Sequence, residues 1–359
     1  MRNILLAALA AAPMLLHAQA AAVQPAAEAA ANDKAPQKVT VSLPDWFPAV
    51  SGTIRAKAEY QMNEDEARFQ VRNARVALGG NITPIVEYKA EIDLSDQGQI
   101  KMLDAYAGVL PVKGLDLRLG QMRVPFTIDA HRSPHVQYFA NRSFIAKQVG
   151  NVRDVGFYAG YKVSGFPLII EGGLFNGSGL TNQNNYWTRG FNFSGKVQIP
   201  LACGLTLEGS VQKVSPNRRS VYLYDGGVTL KSGRFTVEAE YLRKHYTDGV
   251  FTAVNAFDGF VCYDQPMRKV FEKVSFLGRF DCMDDHSDGT LDDQGRWKLT
   301  DGARKRITGG ITFSFTKKLN ADLRLNYEKY FYDNIALAKP SERDKTVVEL
   351  MIHFPYKKK

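Results

Sequence analysis

Arginine recurs at Arg68, Arg72 and Arg75 within one alternating stretch, and again around a long connection. Arg123 precedes that connection, His131, Arg132, His135, Arg142 and Lys147 lie within it, and Arg153 follows it. A guanidinium is permanently charged and presents its donors in a fork that matches phosphate and carboxylate. Rings of Arg and Lys at a narrow passage select anions. Successive strand side chains point to opposite faces, so Arg68 and Arg72 share a face. Arg75 joins them only if the strand slips by one residue near Asn73. The apolar positions shift in step, since Phe69 and Val71 give way to Ala74, Val76 and Leu78. A β-bulge there puts all three guanidinium groups inside; without one, two face inward and the third sits at the interface. The connection 125–152 shows no strand pattern, and a stretch this long inside a compact domain is usually functional. Folded inward it narrows a pore; folded outward it carries solvated charge.

The elements that hold these residues are β-strands. In residues 191–199 the odd positions are Phe, Phe, Gly, Val and Ile, and every even position is polar. In residues 86–94, Val86, Tyr88, Ala90, Ile92 and Leu94 oppose Glu87, Lys89, Glu91 and Asp93. Ionised groups at every second position would each cost several kcal/mol in a dry interior, so they fit a water-filled lumen or a solvent face. Fifteen segments read clearly as strands. Short turns at residues 79–84, 111–114, 164–167, 200–204 and 231–233 each follow an even-numbered strand. The tight 316–320 turn keeps that parity only with one more strand before it. Residues 255–263, turning at 265–269, supply it. Tyr60, Tyr88, Tyr106, Tyr158, Tyr161, Tyr241, Tyr327, Tyr330 and Phe331 tend toward strand ends or the apolar face, as in barrel girdles. The expected fold is all-β: a transmembrane antiparallel β-barrel of about 16 strands with an inward-folded long third loop.

The chain has 359 residues, 45% hydrophobic and 23% charged, with a formal net charge of +9. Residues 1–20 read as a Sec-type signal peptide: one positive charge, an apolar core, then Ala18-Gln19-Ala20. Residues 21–49 read as a flexible periplasmic lead-in, rich in Ala, Pro, Gln and Glu. Residues 50–359 have one uniform texture, the barrel. No later segment approaches 18 consecutive apolar residues, and an exported chain that spans a membrane without helices must close a barrel. The expected location is the cell outer membrane, in contact with its lipid.

Cys203, Cys262 and Cys282 are an odd number in an oxidising compartment, so free thiols are expected and no disulfide framework. Asp281, Asp284, Asp285 and Asp288-Gly289 lack the spacing of a calcium loop and read as an exposed acidic loop tip. No nucleophile elbow, zinc pair, phosphate loop or dinucleotide fingerprint occurs. No enzyme, cofactor, metal or nucleic-acid partner is expected. Basic groups at Arg189, Arg218-Arg219, Arg243-Lys244, Arg268-Lys269 and Arg304-Lys305-Arg306 read as later loops that attract anions at the mouth or contact outer-leaflet phosphates.

Several ordered stretches carry a resemblance: Phe69-Gln70-Val71-Arg72-Asn73-Ala74-Arg75, Leu103-Asp104-Ala105-Tyr106, Gly120-Gln121-Met122-Arg123-Val124-Pro125-Phe126, Asn141-Arg142-Ser143, Arg153-Asp154-Val155-Gly156 and Leu174-Phe175-Asn176-Gly177. In order and spacing they resemble the phosphate-selective porin family, the O and P porins, in particular the versions found in Bacteroidetes-type bacteria. The second half matches mainly in strand pattern, including Arg279-Phe280-Asp281. The resemblance implies a sixteen-stranded barrel, usually a homotrimer, with an inward third loop and an arginine-lined anion path. Arg72, Arg75, Arg123, Arg142 and Arg153 are the motif positions it places near the constriction; Arg68, Arg132 and Lys147 complete the candidate set. The expected function is a porin: a water-filled diffusion channel that prefers phosphate or other small anions. The alternative is a barrel with a plugged lumen and a structural or adhesive role.

Overall fold

The computed structural model describes residues 47–148, 152–180, 183–215, 219–247, 253–315 and 320–355. The signal peptide, most of the lead-in, Arg218, most of the 316–320 turn and the chain end after Pro355 lie outside them. Sixteen strands follow in chain order: β1 Ala49–Gln61, β2 Glu66–Thr83, β3 Val86–Asp96, β4 Gln99–Val109, β5 Leu115–Arg123, β6 Arg153–Lys162, β7 Ile169–Phe175 and β8 Asn192–Pro200. Then come β9 Leu205–Val214, β10 Val221–Ser232, β11 Phe235–Tyr246, β12 Val254–Pro266, β13 Phe271–Met283, β14 Arg304–Phe315, β15 Ala321–Tyr332 and β16 Lys345–Pro355. Each pairs antiparallel with its chain neighbours, and β1 closes on β16 in the register Ser51↔Pro355 to Gln61↔Lys345. Closure leaves no sheet edge. The strand inferred from turn parity is β12.

The alternation sorts the two faces. In β11, Glu238, Glu240, Leu242, Lys244 and Tyr246 are buried, while Phe235, Val237, Tyr241 and Arg243 face outward. The outer surface is a band of exposed Leu, Ile, Val and Phe, among them Leu119, Leu174, Val261, Phe276 and Ile307. Three of the nine candidate girdle aromatics instead point inward. Tyr106 and Tyr158 flank the Arg118 guanidinium, and Tyr330 hydrogen-bonds Arg306.

The register of β1 against β2 shifts between Arg55↔Asn73 and Ala56↔Val71, so Arg72 is the extra residue. This is the place where the apolar pattern of β2 changes step. Gly120 of β5 sits at φ 135 beside Tyr106 of β4. A Cβ there would collide with the Ala105 carbonyl and come within 2.8 Å of the Tyr106 Cα. Gly120→Ala is therefore expected to lower stability by roughly 2–4 kcal/mol, read from urea unfolding in lipid vesicles; an unchanged midpoint would contradict it.

Turns after even-numbered strands are short. Two connections at the opposite end are also short, Met62–Asp65 and Gln97-Gly98; the longest are 124–152, 176–191 and 284–303. Cys262 and Cys282 lie on β12 and β13 five register positions apart, since Phe257 opposes Cys282; all three cysteines are free.

Candidate functional site

The β5–β6 connection is tied to strands all round the barrel. Near its start, Ser194 and Lys196 of β8 donate to the carbonyls of Pro125 and Thr127, each at 2.7 Å. The Thr127 N–H donates to Ser210 of β9. These bonds hold Thr127 at φ 57, a conformation that a β-branched residue rarely adopts unaided. The amides of Ile128 and Asp129 then donate to the Glu240 carboxylate of β11.

Further along, three successive carbonyls each accept from an arginine of the wall: Ala140 from Arg55 of β1, Asn141 from Arg279 of β13, and Arg142 from Arg306 of β14. The Ser143 hydroxyl accepts from Ala146 and caps the short helix α1, Phe144–Gln148. The Phe144 amide donates to Asp281 of β13. Asp281 is thus fully buried against Arg306, not part of an exposed loop tip. Asp288 and Asp292 bind their own loop's amides and hydroxyls, and no metal-ligating group of three or more exists among the described residues.

One part of the lumen is apolar and closed. Inward positions at the long-connection end of β9–β13 carry Val214, Val221, Leu223, Leu242, Tyr246, Val254, Ala256 and Met283. They pack against Phe126, Phe144 and Ile145 of the connection and Trp297 of the β13–β14 loop. Burying Phe144 and Ile145 stabilises this arrangement by about 1.5–3 kcal/mol each. Exposed lumen charges lie on the other wall, β2–β6, where Arg72, Lys89 and Arg118 keep 30%, 33% and 27% of their side-chain surface, and at the short-turn end of β12 and β13, where Asp264 and Lys273 keep 33% and 41%.

The eight candidate residues divide accordingly. Arg68 pairs with Glu59, and Arg72 with Asp96 near the long-connection end. Arg132 pairs with Glu238 at 2.6 Å and Asp129 at 3.3 Å, over the Tyr138 ring. Lys147 pairs with Glu342 of the β15–β16 connection, away from the other seven. The structure brings Arg75, Arg123, Arg142 and Arg153 together. Arg75 meets Asp93 and Glu91, and Arg153 meets Asp104 at 2.7 Å. Arg142 donates to the carbonyls of Asp129 and Arg132. Arg123 donates to the His131 carbonyl at 2.6 Å, and among the described residues no carboxylate lies within 4.0 Å of it.

Arg123 and Arg153 are directly opposite in register, a like-charge pairing that opposes strand association. The Arg153 Nη2 is buried without a hydrogen bond, 3.6 Å from Glu91 Oε1. Arg153 is thus balanced by Asp104 and Glu91, and Arg123 by backbone carbonyls alone. The carboxylates Glu87, Glu91, Asp93 and Glu238 are each engaged by an arginine. A separate row of acids crosses the far wall, with Glu240 opposite Asp258 and Asp258 opposite Asp281.

Arg55, Arg279, Arg306 and Arg324 stand outside the eight candidates, although Arg279 lies in a stretch that carries the resemblance and Arg306 in one read as a loop; their alternate positions on inward faces are the available signal. Arg243, Lys244 and Arg304 to Arg306 sit on strands, not loops. Arg268 and Lys269 lie in a short turn at the opposite end from the long connections.

His131 and His135 line a cavity of about 730 Å³ between the connection and β8–β15. Burial, then the positive charge of Lys196 and Arg123, holds the His131 imidazole well below its ordinary value. Burial and the stacked His353 ring, 4.0 Å away, lower His135 to about 4. Both stay neutral at pH 7, and His135 gains its charge only as pH falls toward 4. His135 is therefore expected to add no step near pH 6.5 to the ratio of anion to cation permeability. A step near pH 6.5 that His135→Asn removes would contradict this.

Residues 51–217 match the family described as phosphate-selective porin O and P. No curated protein matches the chain. Among solved structures, the chain is similar to the outer membrane channel DcaP of Acinetobacter baumannii, with TM-score 0.59 and 15% identity over 85% of this chain and 96% of that one. It is also similar to OmpF of Salmonella typhi in complex with daunomycin, with TM-score 0.60 and 13% identity over 86% and 98%. OmpT of Vibrio cholerae, in trimer form, gives TM-score 0.57 and 8% identity over 85% and 98%. Family and fold point to a channel rather than an enzyme. Residues 51–217, a little under half of the chain, thus match the phosphate-selective porin O and P family, and the fold is the closed sixteen-strand barrel of an outer-membrane porin.

Proposed function

We propose that the protein is a diffusion channel that prefers small anions, phosphate among them, and that ions pass along the β2–β6 wall. The β5–β6 connection folds inward and narrows the lumen to that side. The observation that carries this reading is Arg123, which has no carboxylate within 4.0 Å among the described residues and stands opposite a second arginine, Arg153, across β5 and β6. An anion passing there exchanges part of its hydration for guanidinium hydrogen bonds, which suits planar or tetrahedral oxyanions. Arg75 and Arg142 extend the same field. No covalent step is involved, and the driving force is the solute's own gradient. The trimer form of OmpT supports a homotrimer here.

The test is competition in planar bilayers: phosphate added at constant ionic strength should reduce single-channel chloride current. The double replacement Arg123→Gln with Arg153→Gln should relieve that block at least severalfold. Chloride current indifferent to phosphate would remove phosphate from the reading.

A second reading, a sealed barrel whose surface loops do the work, draws on the apolar packing of Phe144 and Ile145 against β9–β13. It requires that the purified protein conduct no ions.

A further inference from the structure

The outer face of the barrel carries basic residues that the channel does not use. Lys213 is the penultimate residue of β9, Arg243 stands three residues before the end of β11, and Lys305 is the second residue of β14. Each alternates with buried inward neighbours: Gln212 and Val214, Leu242 and Lys244, Arg304 and Arg306. All three therefore point away from the lumen, and Arg243 and Lys305 are exposed. They lie at the end of the barrel with the long connections, which is the extracellular end.

The contrast with their inward neighbours is chemical. Arg304 and Arg306 are each met by carboxylates, from Asp301 and Glu342 and from Asp281 and Glu328. Among the described residues no carboxylate lies within 4.0 Å of Lys213, Arg243 or Lys305. A charge on the lipid face costs about 2–4 kcal/mol at the bilayer midplane but 0–1 near the interface. Unpaired cations are thus tolerated only at headgroup level, where their counter-charge must come from outside the chain.

Between Lys213 and Arg243 stand Tyr222 and Tyr224 of β10, with Lys213 opposite Tyr222 and Arg243 opposite Tyr224. Tyr224 is half exposed, and tyrosine settles where acyl chain meets headgroup. At about 4.8 Å per strand, β9 and β11 lie roughly 10 Å apart, within reach of two long side chains converging on one headgroup.

We propose that this face docks a phosphate-bearing lipid of the outer leaflet, with Lys213 and Arg243 on the phosphate, Tyr222 and Tyr224 at the acyl boundary, and Lys305 on a neighbouring lipid. The site needs the outer-membrane barrel but is independent of anion preference in the lumen.

The experiment is native mass spectrometry of the detergent-purified protein titrated with diphosphoryl lipid A, dephosphorylated lipid A and inorganic phosphate. The expected result is binding of diphosphoryl lipid A about tenfold tighter than its dephosphorylated form, with that advantage lost in Lys213→Ser with Arg243→Ser. Equal binding of the two lipids, or an unchanged advantage in the double variant, would overturn the proposal. So would displacement of the lipid by inorganic phosphate at an ionic strength where chloride leaves it bound, since that marks a free-anion site. Both substitutions face lipid, so folding is checked by the gel shift on heating. Single-channel conductance of the same variant should match the parent, which separates a failure here from a failure of the channel reading.

Discussion

Replacing Arg123 and Arg153 together by glutamine is expected to lower the chloride-over-potassium permeability ratio by about tenfold. Each guanidinium contributes about 0.8 kcal/mol to a monovalent anion roughly 5 Å away in water-like surroundings. Two such terms change the local anion population about tenfold. This holds at low ionic strength; at 0.1 M salt, screening over about 10 Å removes roughly 40% of each term and leaves about a fivefold change. Glutamine keeps a donor for the His131 carbonyl that Arg123 holds, so the connection keeps its anchor while the charge is lost. The matching control is Arg68→Gln, since Arg68 is spent on Glu59 nearer the mouth. It should change the ratio less than twofold. If the double variant retains the parental ratio, these two residues do not form the filter.

The second large effect concerns the anchor of the connection. Asp281 receives two hydrogen bonds from Arg306, at 2.9 and 2.6 Å, and one from the Phe144 amide. Arg306 in turn packs over the Phe144 ring and holds the Arg142 carbonyl. Asp281→Ala leaves a buried guanidinium short of its partner and frees the amide at the start of α1. Breaking a buried pair from one side costs about 3–5 kcal/mol, whereas replacing both partners by apolar groups is often close to neutral. Asp281→Ala should therefore destabilise the barrel by that amount in urea titrations and raise single-channel conductance, as the connection loosens. Asp281→Leu with Arg306→Met should recover part of the stability, since Glu328 also loses Arg306, but not the parental conductance. Equal destabilisation by the single and double replacements would show that the pair acts only through packing.

Much of the barrel was legible because two-residue alternation survives wherever the two faces meet different surroundings. The β2 slip could be read because apolar positions changed parity around Asn73, and the register shift opposite Arg55 falls there. The missing strand was legible through turn parity alone. The apolar part of the lumen was not. In Val221-Tyr222-Leu223-Tyr224 both faces are apolar, one toward lipid and one toward the connection, so alternation cannot say which side is inside. Arg304-Lys305-Arg306 read as a charged loop because no local signal marks the middle residue as outward. The arginine clamps on the carbonyls of Ala140, Asn141 and Arg142 join residues up to 164 positions apart. No local pattern encodes a contact of that separation. The Arg123–Arg153 pair is an intermediate case: both residues were chosen from the sequence, but their direct opposition depends on how β6 returns against β5.

The most direct measurement is the reversal potential of the purified protein in a planar bilayer under a potassium chloride gradient. Open channels whose reversal potential lies toward the chloride equilibrium value would bear out a guanidinium-lined anion path along β2–β6. Absence of conductance, or a reversal potential on the potassium side, would contradict it.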